Sequence, residues 1–324
     1  MQPILFVIPG WDFKVHSYGV MILFACSAAL AIGVWRARRE GINTDVVYEL
    51  ATWLFLGGIV GARGVYVLSH LDTFHSLRDV LQSWKGGNNF FGCILGGLTG
   101  STLYWFRRPF KFWLMTDVAA PAVAIGIAIG RIGCFLNGCC YGAVCHLPWA
   151  VCFPAGSHAW VRQVDAGLIR PWAVQSLPVH PTQIYASLAG FALLGLLLAY
   201  FPYRRAAGQA MAVLMIAYPL TRWPLEAVRG DEPPIFAGMT LSQNISVAVF
   251  LCGFALWFGL RGKSRVSGEM KRPSPPARSP ARFRLLGRLW VWHWHQDEGE
   301  EPVNKGKKAS GRIDSEGAGQ NRST

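Results

Sequence analysis

The sequence predicts an all-α polytopic membrane protein of seven transmembrane helices, N-terminus extracytoplasmic and C-terminus cytoplasmic. Three observations carry that expectation. Of 324 residues, 52% are hydrophobic and only 15% charged, a balance unlike that of a soluble domain. The apolar residues fall in blocks of about 20, the length a helix needs to cross a hydrocarbon core about 30 Å thick. Lys and Arg are also unevenly shared between alternate loops, which sets orientation.

The opening stretch MQPILFVIPGW has no basic residue before its apolar part and is too short to span. It therefore reads as a segment along the interface rather than a cleavable signal peptide. Spans are expected at residues 17–35, 48–69, 90–106, 113–133, 181–201, 208–227 and 242–260, the third being short and rich in glycine. Arg36, Arg38 and Arg39 follow the first, Arg107, Arg108 and Lys111 the third, Arg204 and Arg205 the fifth, and Arg261 the seventh. Those loops are cytoplasmic by the positive-inside rule. Residues 134–180 then form an extracytoplasmic loop region within a membrane domain of residues 1–261.

The formal charge of +13 divides almost evenly, +7 on residues 1–261 and +6 on residues 262–324. The latter run through KRPSPPARSPARFR, LLGRLWVWHWH and an acidic DEGEE. This composition cannot bury enough apolar surface to fold, so a basic, largely disordered cytoplasmic tail is expected. Basic residues beside aromatic ones suit contact with anionic membrane lipids. Nucleic acid is not an expected partner, because no reader fold accompanies the run.

Charge inside the spans is the first functional signal. Arg63 lies in GGIVGARGVYVL, Arg131 at the end of the fourth span, and Arg222 in YPLTRWPLEAVRG. An ionisable group at bilayer depth costs at least about 2.5–3.5 kcal/mol, so it faces a polar cavity and a partner. Arg222, Glu226 and Arg229 follow an i, i+4, i+7 spacing that puts them on one helical face, with one carboxylate for two guanidinium groups. An arginine near an interface can simply snorkel. An excess of guanidinium in a lipid-facing cavity, however, is what a phosphate ligand requires, and phospholipid is the abundant phosphate there. Small residues at Ala122, Gly126 and Gly130, and at Gly57, Gly61 and Gly64, permit close helix approach, which would bring Arg63 near Arg131.

Thiols are the second signal. Cys134, Cys139, Cys140, Cys145 and Cys152 crowd one outward region, where an oxidising compartment permits disulfides. Cys139 or Cys140 paired with Cys145 or Cys152 is the expected bridge. No metal site is expected, because the spacing lacks a paired C-x-x-C motif and His146 adjoins Cys145. No cofactor is expected either.

The stretch GRIGCFLNGCCYG, residues 130–142, resembles the signature of the bacterial prolipoprotein diacylglyceryl transferases, Gly-Arg-x-Gly-Asn-Phe-x-Asn-Gly-Glu-x-x-Gly. Gly130, Arg131, Gly133, Phe135, Asn137, Gly138 and Gly142 match it. HSYGVM, GARGVYVL, GGLTG, VHPTQIY and YPLTRWPLEAVRGDEP follow in the family's order, so the resemblance covers about residues 12–260. It implies a multi-pass protein of the bacterial cytoplasmic (inner) membrane that moves a diacylglyceryl group from phosphatidylglycerol to the lipobox cysteine thiol of preprolipoproteins, leaving glycerol 1-phosphate. Catalytic roles are implied for Arg131, Arg222, Tyr18 and His180. Substrate contacts are implied for Arg131, Asn137, Tyr218, Arg222, Glu226, Arg229 and Arg63.

Three departures stand out. Leu95 replaces the histidine that precedes the family's Gly-Gly in the third span, Cys134 replaces the signature's first asparagine, and Cys139 its glutamate. Leucine accepts no proton, and a free thiol has a pKa near 8.5, so its resting charge differs from a carboxylate's. A lipid-binding or altered-acceptor relative and a membrane thiol oxidoreductase are the competing readings.

Overall fold

The computed structural model describes residues 4–8, 13–71, 76, 80, 87, 89–229 and 238–261. The chain divides into two units, Met1–Pro273 and Ser274–Thr324, and every described residue lies in the first. The expected tail falls outside the described residues.

Long helices dominate: α1 (Ser17–Arg39), α2 (Thr44–Ser69), α3 (Phe90–Arg107), α4 (Phe112–Asn137), α6 (Thr182–Tyr200), α7 (Gln209–Val228) and α8 (Leu241–Leu260), with a short α5 (His158–Asp165) between α4 and α6. Five of them, α1, α2, α4, α6 and α8, are long and apolar enough to cross a membrane. α3 and α7 have 18 and 20 residues, but glycines and hydroxyls in one, and Gln209, Arg222 and Glu226 in the other, dilute their apolar character. The expected spans and the helices agree in position. The ends differ where the hydrogen-bond ladder continues past the expected span, so α1 runs on through Arg39 and α4 through Asn137.

The N-terminus departs from an all-α chain. β1 (Ile4–Ile8) pairs antiparallel with β2 (Phe13–His16), Ile4 opposite His16. A lone apolar stretch must satisfy its backbone groups, and here they pair with the strand leading into α1.

The long helices pack in a chain of neighbours: α2 on α3, α1 on α4, α4 on α6, and α7 on α6 and α8. Ala120 and Ala124 of α4 meet Leu193 and Leu197 of α6 and Leu214 of α7 in one apolar cluster. Glycine sets the tightest contacts. A Cβ on Gly190 of α6 would lie 2.9 Å from Ala128 of α4, and Ser187 donates to the Ala128 carbonyl at 2.8 Å. Gly57 and Gly61 of α2 meet the backbone of Gly92 and Gly96 on α3. Gly64, Gly126 and Gly130 have open space where a Cβ would stand. The small face of α2 thus serves α3, and α4 makes its close approaches through Ala128 and Gly133.

The basic end of the bundle is tied by buried ions. Arg204 reaches Asp117 at 2.9 Å and Glu40 at 2.7 Å, and Glu40 also holds Arg36 at 2.6 Å. Asp117, fully buried, accepts from the amides of Gly208, Ala210 and Met211. It caps α7 from α4, which fixes the axial position of the helix that carries Arg222.

Candidate active site

The site is built on the last two turns of α4. Gly138, at φ +73°, ends the helix in the left-handed conformation. Its amide bonds Phe135 O at 3.2 Å, and Cys139 N bonds Cys134 O at 3.2 Å. This is the Schellman pairing that glycine favours, and it folds residue 139 back over residue 134. A side chain at Gly138 would also meet Phe153 and Ser157.

The chain beyond is pinned by the start of α6. Thr182 Oγ1 donates to Cys140 O and Gln183 Nε2 to Cys139 O, each at 2.7 Å. Gly142 N bonds His180 O at 3.0 Å, and Ala143 N bonds Val228 O at 2.9 Å. A Cβ on Gly142 would fall 2.7 Å from that of His180. The loop therefore lies between the start of α6 and the end of α7.

Arg131 shares a cleft with Ile127, Ala186, Tyr218, Thr221 and Arg222, so the backbone of α4 and the face of α7 present two guanidinium groups to one space. On α7, Glu226 is fully buried and holds Arg222 at 2.7 Å and Arg229 at 3.6 Å. Arg222 also donates to Ser242 Oγ of α8 at 3.2 Å. The i, i+4, i+7 spacing delivers the shared face read from the sequence. One carboxylate against three arginines leaves the region positive.

Tyr18 reaches the same region from α1, its ring 3.4 Å from where a Cβ on Gly133 would stand. Its phenol lies within electrostatic reach of Arg131, Cys134, Cys139 and Cys140. The Cys139 thiol donates to the Cys134 carbonyl at 3.7 Å. His180 stacks edge-on against Tyr185 at 6.4 Å, and its Nδ1 is buried with no partner among the described residues. Arg63 is engaged differently: it donates to Val80 O and Gly87 O, each at 2.8 Å, from a helix that packs chiefly on α3. Leu95 is exposed on α3.

All eight cysteines are free thiols. Cys139 and Cys140 have Cys134 as their sulfur neighbour, the three Sγ atoms lying within 4.8 Å of one another, rather than Cys145 or Cys152. Spacing alone concealed this, because the Schellman turn joins residues five apart. Hydrogen bonds from Cys134 and then Cys139 hold the Cys140 thiol well below the usual thiol range, and Arg131 and Arg229 add to the effect. Thr182 and Gln183 were also missed as loop-fixing residues; their signal was two polar residues opening an apolar span.

The family model described as prolipoprotein diacylglyceryl transferase matches residues 3–259. The chain belongs to the prolipoprotein diacylglyceryl transferase family. Among its relatives, the phosphatidylglycerol–prolipoprotein diacylglyceryl transferase of Clostridium tetani is 31% identical over 78% of this chain and 95% of its own length. Those of Polynucleobacter necessarius subsp. necessarius and Coxiella burnetii are each 32% identical, over 77% and 78% of this chain and 90% and 94% of their own. The matched region includes the α4 signature, the cleft and all of α7. Three of the signature's glycines have direct structural reasons: Gly133 admits Met21, Gly138 turns the chain, and Gly142 admits His180.

Proposed function

We propose that this protein transfers the diacylglyceryl group of phosphatidylglycerol to the lipobox cysteine thiol of preprolipoproteins, as a multi-pass enzyme of the bacterial inner membrane with seven spans and an extracytoplasmic N-terminus. The observation that carries the proposal is the pairing of Arg131 and Arg222 on one cleft, with Arg222 locked by Glu226 and Ser242.

The reaction has the lipobox thiolate attack glyceryl C3 in line with the phosphate. The S–C bond forms, the C–O bond breaks, and its electron pair leaves on the oxygen of glycerol 1-phosphate. Arg131 and Arg222 bind the phosphate and stabilise that developing charge with fixed donors, the arrangement that lowers a barrier most. Glu226 keeps the Arg222 fork oriented. Arg229, Arg131 and Arg222 together exceed the one carboxylate, so an anionic headgroup is attracted. Tyr218 lines the same cleft, and Tyr18, Asn137 and His180 are the further residues assigned to positioning headgroup and acceptor. Orientation follows from the basic residues of the loops after α1, α3, α6 and α8.

Purified protein in phosphatidylglycerol liposomes with a lipobox peptide tests this reading. A gain of one diacylglyceryl mass on the peptide, matched by glycerol phosphate release and absent with a Cys→Ser peptide, is expected. Lipid binding without transfer would assign the chain to a non-transferring relative.

A further inference from the structure

The thiols of Cys134, Cys139 and Cys140 have no part in the phosphate chemistry, yet the fold takes three separate measures to gather them. The Schellman turn returns residue 139 to residue 134. Gln183 and Thr182 grip the carbonyls of residues 139 and 140. Cys140, the only non-glycine residue with positive φ among those described, sits at +56°. Adjacent residues in extended backbone point to opposite sides, and the left-handed turn at Cys140 abolishes that alternation. A strained non-glycine conformation persists only where its surroundings enforce it, commonly at functional sites.

We propose that Cys134, Cys139 and Cys140 bind one soft divalent metal ion of the zinc class, and that its fourth position takes the acceptor thiol of the transfer reaction. The second half rests on the transferase reading above. Zn–S bonds of about 2.3 Å in tetrahedral geometry require sulfurs about 3.8 Å apart, close to the spacing within 4.8 Å seen here. Three protein ligands with one open position are the arrangement of catalytic rather than structural zinc. Three thiolates and a divalent ion carry one net negative charge, which Arg131 and Arg229, both within electrostatic reach of Cys140, offset.

The site supplies what Leu95 cannot. Leu95 accepts no proton, and a thiol that coordinates such an ion is deprotonated outright. The acceptor S–H proton passes to water as sulfur binds. The sulfur lone pair then forms the S–C bond while the C–O pair leaves with the phosphate held by Arg131 and Arg222. Tyr18 lies within electrostatic reach of both the thiols and Arg131, on the side from which the acceptor must come.

The test uses the full-length protein in detergent, reduced and stripped of metal, titrated with Co2+ as a spectroscopic stand-in for zinc. One equivalent is expected to give thiolate-to-cobalt charge-transfer absorption and tetrahedral ligand-field bands. The bands are lost in Cys139→Ser and in Cys140→Ser but kept in Cys145→Ser. Bound zinc protects Cys134, Cys139 and Cys140 of the unaltered protein from alkylation, a readout independent of how any variant folds. A lipobox peptide shifts the ligand-field bands, and its Cys→Ser analogue does not. No charge-transfer band, or no protection, overturns the site. Full transfer by metal-free protein overturns the catalytic role while leaving the transferase reading intact. A peptide-responsive cobalt spectrum without transfer in any metal state upholds the site and removes the transferase reading.

Discussion

Arg131 shows how a single side chain separates charge from geometry. Lysine keeps the charge but loses the planar fork that binds two phosphate oxygens. Arg131→Lys is therefore expected to lower kcat by about 10²–10³-fold, the loss typical of one transition-state donor, with lipid binding weakened much less; steady-state transfer kinetics check it. Glu226→Gln leaves two buried guanidinium groups without their carboxylate, and breaking a buried pair costs about 3–5 kcal/mol, so a lower Tm in detergent is expected alongside lost activity.

At the scale of elements, the helix bundle depends on backbone approach and on one cap. A leucine at Gly61 would drive a side chain into the α3 backbone at Gly92 and Gly96, and separation of α2 from α3 is expected, with Tm falling as overpacking by about 1–3 kcal/mol implies. Asp117→Ala removes the carboxylate on Arg204 and the acceptor for three amides at the start of α7. Its effect on transfer is expected to exceed its distance from the cleft, because α7 carries Arg222, Glu226 and Arg229. Transfer rate measured at a temperature where the variant remains folded checks this. Much of the bundle was legible in the sequence, since long apolar runs bounded by arginine or asparagine admit few alternatives. The β1–β2 hairpin was not, because ten-odd apolar residues with a Pro-Gly pair carry no sign of which strand they will meet. α5 was hidden by its shortness.

For the whole molecule, five helices meet the demands of a membrane crossing by length and composition, while α3 and α7 exchange apolarity for close packing and for the site. The same exchange explains which site residues could be found in advance. Arg131, Arg222, Glu226 and Arg229 announce themselves as charges in apolar surroundings. The thiol cluster does not, because it exists only once a turn and the start of α6 have folded residues 139 and 140 against residue 134. Arg63 announced itself equally well, yet its guanidinium holds the carbonyls of Val80 and Gly87, so a charge in a span marks a polar partner without saying whether that partner is substrate or backbone.

The most direct test of two arginines acting on one phosphate is a double-mutant cycle in the transfer assay, with Arg131→Lys, Arg222→Lys and the pair combined. Residues that act as a unit are strongly non-additive. The combined variant is expected to be little slower than either single one. Full additivity, or a neutral effect of either substitution, would contradict shared recognition of the phosphate.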